Sequence, residues 1–300
     1  MTDVLDGVLA DLAAETEQLD ARVAGLSDDQ WRTPTPAPAW DVATQVAHLA
    51  WTDEAAVAAA RAAGGDKESW DALVLEALGD PANVVDNGAL EGGRAPVDKL
   101  LARWREGRVA LADALRAVPD GVKLPWFGPP MSPTSMATAR FMETWAHSHD
   151  VHDALVSIGV LAAPPEPTDR IVHVAHIGVR TRNFSFATND LTPPPEEFRV
   201  ELISPSGEQW AYGPEDAAQG VSGSAYDFCL LVTQRINRAD TDLVATGPDA
   251  DTWLDIAQCF AGQPGEGRKA RVSEARDGSD LSPSTDREIA VDLRANRERA

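Results

Sequence analysis

Apolar positions recur at helical spacing from the start of the chain: Val4, Leu5, Val8, Leu9 and Leu12, then Leu19, Val23 and Leu26. That spacing predicts a first helix over about the opening 25 residues. The Pro34-Thr-Pro-Ala-Pro38 stretch interrupts it. A second helix is expected from Asp41, whose side chain suits an N-cap, to Ala63, where Gly64-Gly65 supplies a stop. A third runs from Pro96 to Val118 with Val97, Leu100, Leu101, Trp104, Leu111 and Leu115 on its inner face. A fourth contains Ala139 to Asp150. Between the second and third, Gly64 to Ala95 is too long for a bundle turn and holds Trp70, Leu73, Leu75 and Leu78, so a small helical insertion is expected, placed where it can help cover a site. Before the fourth, Gly121 to Met131 carries Trp126 and Phe127 among prolines and glycines. These aromatics suit a plug over the bundle end or a substrate wall equally well.

The pattern changes after Pro164-Pro-Glu-Pro167, marking a linker and a boundary near residue 165. Phe198, Val200 and Leu202 alternate as a strand does, Ser204-Pro-Ser-Gly207 supplies a turn, and Trp210 and Tyr212 alternate again, predicting a hairpin. Gly223 to Arg235 reads as a buried helix, Leu243 to Gly247 as a short strand, and Asp251 to Phe260 as another helix. Ala261 to Arg268 is rich in glycine but lacks the Lys-Ser/Thr of a phosphate loop, and it ends a helix instead of opening one. The expected architecture is α plus α/β: a four-helix bundle over residues 1–163, a smaller α+β domain over 168–268, and a disordered tail over 269–300.

Composition narrows the function classes. The chain has 300 residues, 43% of them hydrophobic, enough for packed cores in a globular protein. Lys and Arg total 26 against 48 Asp and Glu, so the net charge of −22 repels a phosphate backbone and an anionic leaflet alike. Neither nucleic acid nor membrane is an expected partner. The opening Met1-Thr-Asp-Val-Leu-Asp-Gly7 lacks the basic flank and apolar run of an export signal, which suggests a cytoplasmic location. Cys229 and Cys259 have no CxxC spacing, so each is expected to fill buried space, with a reactive thiol as the rarer alternative.

The candidate chemistry sits in the fourth helix. At about 100° per residue, His147 lies about 40° round from Glu143 and Asp150 about 20° on its other side. An acid and an imidazole one turn apart can share a metal ion, although such pairs also occur on ordinary surfaces. His149 falls about 120° away and His152 about 180°, so neither can join them. His48, among Val42, Val46 and Leu49 on the second helix, is the proposed partner, against the plainer reading of a core histidine. Two neutral imidazoles and one carboxylate would leave a divalent ion with positive charge and open positions, as in a catalytic site.

Trp40-Asp-Val-x5-His48-Leu, followed by Arg140-x2-Glu143-x3-His147-x2-Asp150, resembles the DinB-like metalloprotein superfamily, specifically its mycothiol-dependent maleylpyruvate isomerase branch, from near residue 1 to about residue 268. The resemblance implies His48, Glu143 and His147 as metal ligands, zinc being the expected ion, with Asp150 orienting an imidazole. It implies a sterol-carrier-like C-terminal domain whose helix sends an arginine toward the metal cleft. Arg235 matches best, and its guanidinium could hold a substrate carboxylate. Pairing with an acid such as Asp227 or capping a helix end is the alternative for Arg235, and Arg180 and Arg182 are weaker candidates. The implied activity is a thiol transferase or isomerase in which mycothiol, as a metal-bound thiolate, attacks a small electrophilic substrate. Thiol exchange in lincosamide-like antibiotic biosynthesis, a metal-dependent hydrolase with Asp150 as base, and a non-enzymatic small-molecule binding protein remain open alternatives, and oligomeric state is not legible.

Overall fold

The computed structural model describes residues 2–81, 83–162, 165–262, 265 and 267–271. Chain order is α1 (Thr2–Val23), α2 (Asp28–Trp31), α3 (Val42–Ala63), α4 (Glu68–Gly79), α5 (Val84–Gly93), α6 (Val97–Ala117), α7 (Pro133–Ser157), α8 (Val172–Arg180), α9 (Arg182–Thr188), β1 (Arg199–Ile203), β2 (Gln209–Tyr212), β3 (Gly220–Ser224), α10 (Ala225–Val232), β4 (Val244–Thr246) and α11 (Pro248–Ile256).

The bundle consists of α1, α3, α6 and α7, with α1 against α7 and α3 against both α6 and α7. Its two site-bearing helices start at well-made caps. Asp41 accepts from the Thr44 amide and hydroxyl, each at 2.7 Å, and Ser132 accepts from the Ser135 amide at 3.1 Å with Pro133 in the first turn. Those bonds satisfy amides that the helix itself cannot. α3 is apolar almost all round because it is wrapped: α5, α6 and α7 take its faces, and α4 touches it as well. The α5 contact is close enough that a Cβ on Gly93 would come within 2.9 Å of Thr44 Oγ1. So the expected insertion is two helices, and α5 backs the first half of α3.

Trp126 and Phe127 pack on Trp70 of α4, with ring centroids 6.0 and 5.0 Å away. A bridge between Leu124 and Met131 closes that loop. The aromatics therefore tie the loop before α7 to the insertion.

The second half carries a four-stranded sheet of order β2-β1-β3-β4. β1 and β2 form the expected hairpin, with Val200 opposite Tyr212 and Leu202 opposite Trp210, and Gly207 takes φ +90° in its turn. β1 also pairs in parallel with β3, which pairs antiparallel with β4. The expected helix from Gly223 to Arg235 is shorter at both ends. Gly223, at φ +144°, and Ser224 belong to β3, Ser224 caps α10 by accepting from the Tyr226 and Asp227 amides, and the helix ends at Val232. The last helix is displaced instead, starting at Pro248, three residues before the expected Asp251, because proline suits a first turn, and ending at Ile256, four residues before the expected Phe260.

One apolar core runs without a break from Leu5, Leu9 and Phe141 to Val174, Val200, Phe228 and Trp253. A second surrounds Leu19, Trp31, Val46, Leu100 and Trp104 at the other end of the bundle. We propose residues 1–163 and 168–268 as two units joined through the first core. Ala163 and Pro164 at the boundary, and everything after Arg271 in the expected disordered tail, lie outside the described residues. Among the described residues no helix is long and apolar enough to cross a membrane.

Candidate metal centre

Three side chains from two helices meet between α3 and α7. Nε2 of His48 and Nε2 of His147 each lie 3.2 Å from the same oxygen, Oε2 of Glu143. One ligand atom from each residue falls within 4.8 Å of the others, the sole such grouping of His, Cys, Asp and Glu among the described residues. The helical wheel placed Glu143 and His147 together; what brings His48 to them is the packing of α3 on α7. His149 and His152 are buried on other faces of α7 and stay apart from the cluster, as their angular positions require.

The electrostatics favour a neutral imidazole beside an ionised acid. Burial pushes His48 down to about 4, and the nearby His147 adds to that, against the pull of Glu143. Burial alone would raise Glu143, but hydrogen bonds and charge from the two histidines outweigh it and hold its carboxyl well below the usual range. His48 Nδ1 is buried without a partner.

Gln45, one turn before His48 on α3, was not singled out by the sequence. Its Oε1 meets Nδ1 of His147, so that nitrogen donates, as an imidazole that coordinates through Nε2 requires. Gln45 Nε2 in turn donates to Thr35 Oγ1 at 2.8 Å, and the Thr35 hydroxyl donates to the Trp40 carbonyl at 2.9 Å. The proline-rich stretch is thus folded back, with Ala39 at φ +65°, to set the Trp40 ring 5.1 Å from His48 and 5.8 Å from His147. Trp40 forms an aromatic wall for the cluster.

Asp150, expected to orient an imidazole, has Oδ2 3.9 Å from His147 Nδ1, beyond hydrogen-bonding reach. Gln45 occupies that role. Asp150 accepts instead from Arg235 Nη2 at 2.7 Å and from Arg268 Nη2 at 2.6 Å, and although burial works against it, those cations keep its carboxyl low. Arg235 lies just beyond α10, after Gln234 at φ +59°, and pairs with Asp150 instead of Asp227. Arg182 is committed elsewhere, bonding the Pro194 and Glu196 carbonyls and lying over the Phe198 ring, and Arg180 is exposed. Beside the cluster, Arg140 and Asp53 form a buried ion pair at 2.8 Å that ties α7 to α3. Such a pair adds little net stability.

Both cysteines are buried with thiols pushed up, chiefly by burial, so neither is a resident nucleophile.

A family model described as the mycothiol maleylpyruvate isomerase N-terminal domain matches residues 12–152, the stretch containing all three clustered side chains. A second, described as wyosine base formation, matches residues 194–246, which contain the sheet. Two uncharacterised proteins from two strains of Mycobacterium tuberculosis are each 53% identical over 260 residues, covering 87% of this chain and 97% of theirs. The crystal structure of the mycothiol-dependent maleylpyruvate isomerase aligns over 87% of this chain and 96% of its own with TM-score 0.54 at 14% identity. A histidine-to-alanine mutant of that enzyme gives 0.53 over the same shares. At such identity the likeness speaks for the fold: a helical bundle followed by a small sheet-bearing domain. Residues 12–152 therefore belong to the mycothiol maleylpyruvate isomerase N-terminal domain family, and the chain as a whole shares the fold of that isomerase.

Proposed function

We propose that this chain is a metal-dependent thiol transferase or isomerase that uses mycothiol against a small electrophilic substrate. One observation carries the reading: two imidazole nitrogens converge on one carboxylate oxygen at 3.2 Å each, in a site walled by Trp40. Two histidines and one acid form the donor set of a catalytic zinc with a position left open. His48, Glu143 and His147 would hold it. When bound, such an ion lowers the pKa of an incoming thiol and polarises a carbonyl.

The chain's own residues supply the rest. Gln45 selects the His147 tautomer, so the ring need not reorganise when a ligand arrives. Arg140 and Asp53 fix the distance between the helices. Trp40 keeps bulk water from one side, which strengthens every charge interaction within. Arg235, its guanidinium oriented by Asp150, would hold a substrate carboxylate. We place this work in the cytoplasm, where two unpaired buried thiols persist.

The test is metal analysis of the purified protein followed by calorimetry with mycothiol and with glutathione. The expected outcome is one divalent ion per chain and heat of binding for mycothiol that disappears when the ion is removed. Turnover of an electrophile without any thiol would point to a hydrolase and reject the proposal.

A further inference from the structure

Asp150 is 1% exposed, and both of its oxygens are taken by guanidinium groups, Oδ2 by Arg235 and Oδ1 by Arg268. Two guanidinium groups thus share one buried carboxylate. Asp153 Oδ2, 3.9 Å from Arg268, is a second and more exposed acidic neighbour of that pair. Arg235 uses Nη1 on the Thr233 carbonyl and Nη2 on Asp150, while its buried Nε has no partner. Arg268 has a different attachment: it arrives on the segment beyond α11, its own carbonyl held by Asn237 Nδ2 at 2.7 Å.

We infer that Arg268 is a positioning residue that occupies one oxygen of Asp150, so that this carboxylate cannot close bidentately on Arg235 and the Arg235 guanidinium stays available for a carboxylate of the substrate. The inference rests on the carboxylate role proposed above for Arg235. Alone, Asp150 would compete with the substrate for the same planar donor edge. With Arg268 in place, the competitor is already half satisfied.

The experiment measures maleate binding to the zinc-loaded protein by calorimetry, without thiol, on variants whose zinc content and thermal transition match the parent. Arg268→Gln is expected to weaken maleate about tenfold, the size of one charge-assisted hydrogen bond. Adding Asp150→Asn to Arg268→Gln is expected to restore binding to within about threefold of the parent, because the competing charge has gone. Arg268→Lys, which keeps the charge if Arg268→Gln folds poorly, is expected to lose less than Arg268→Gln. If Arg268 only staples the segment to α7, the double variant binds no better than Arg268→Gln, and the inference is overturned. Arg235→Gln separates the two levels. Unchanged affinity there sinks the carboxylate role of Arg235 itself, whereas lost affinity there with unchanged affinity in Arg268→Gln sinks only the role of Arg268.

Discussion

Helix α7 carries histidines on two kinds of face, and only one kind makes a site. His147 meets a carboxylate, an amide and a second imidazole, each bringing a lone pair or a proton to a definite place. His149, two residues on and equally surrounded by protein, meets rings: Trp145 at 4.3 Å and Tyr226 at 5.8 Å. Residue type and burial are nearly the same in the two places. What separates a coordinating group from a packed one is the convergence of donors from a second helix, which α3 supplies on one side only.

Substitution of the ligands should break this contrast most sharply. His48→Ala and His147→Ala are each expected to cost more than the roughly 100-fold loss of metal affinity typical of removing an outer partner, while His149→Ala retains the ion. Metal analysis of dialysed protein decides this, and equal retention in all three would end the ligand assignment. Gln45→Leu should lower metal affinity about 10- to 100-fold by freeing the His147 ring, read by competition with a chelating dye.

His149 offers a test of the opposite face through acid. Burial depresses it to about 3, with Arg22 and Arg235 pushing the same way and Asp150 opposing. Unfolded, a histidine titrates near about 6.5. Below that pH the unfolded chain takes up a proton that the native chain refuses, so stability falls as pH drops from the unfolded value toward the folded one. His149→Phe removes that liability. Its stability relative to the parent should therefore rise by on the order of 2 kcal/mol between pH 7 and pH 5, in urea unfolding followed at both pH values.

The smallest effect sharpens the comparison from the side of the acid. Asp20, like Glu143, is a carboxylate held low, but its partners are Arg105 at 2.5 Å and Arg108 at 2.8 Å, with the Arg105 hydrogen bond the main cause. Asp20→Asn should leave metal content unchanged and lower stability by about 1 kcal/mol at neutral pH, since Arg105 is well exposed. Because the folded pKa is depressed, that difference is present above the unfolded carboxylate value and vanishes as pH falls through the folded one.

These contrasts mirror what could be read from the amino-acid order. Periodicity placed α3 and α6 within a residue or two and located α7 without its ends, and angular arithmetic on α7 set Glu143 and His147 on one side and His149 and His152 off it. Such properties are local, so a single segment contains them. Gln45 was invisible because a glutamine on an apolar helix carries no signal until a histidine 102 residues away arrives against it. Arg268 was missed for the same reason, 118 residues from Asp150. The expectation for Asp150 named the right neighbourhood but not its partners, since one arginine comes after α10 and the other after α11. The β3 strand, Gly-Val-Ser-Gly-Ser, lacks alternation of any strength and exists because β1 and β4 take its two edges.

The unbroken apolar contact from Leu9 through Phe141 to Phe228 has a thermodynamic consequence. Helices and sheet share the surface that would have to be wetted to part them, so neither can melt first and leave the other intact. Heating is expected to give a single calorimetric transition, and a chain cut before α8 would bare a greasy flank on α7 and clump.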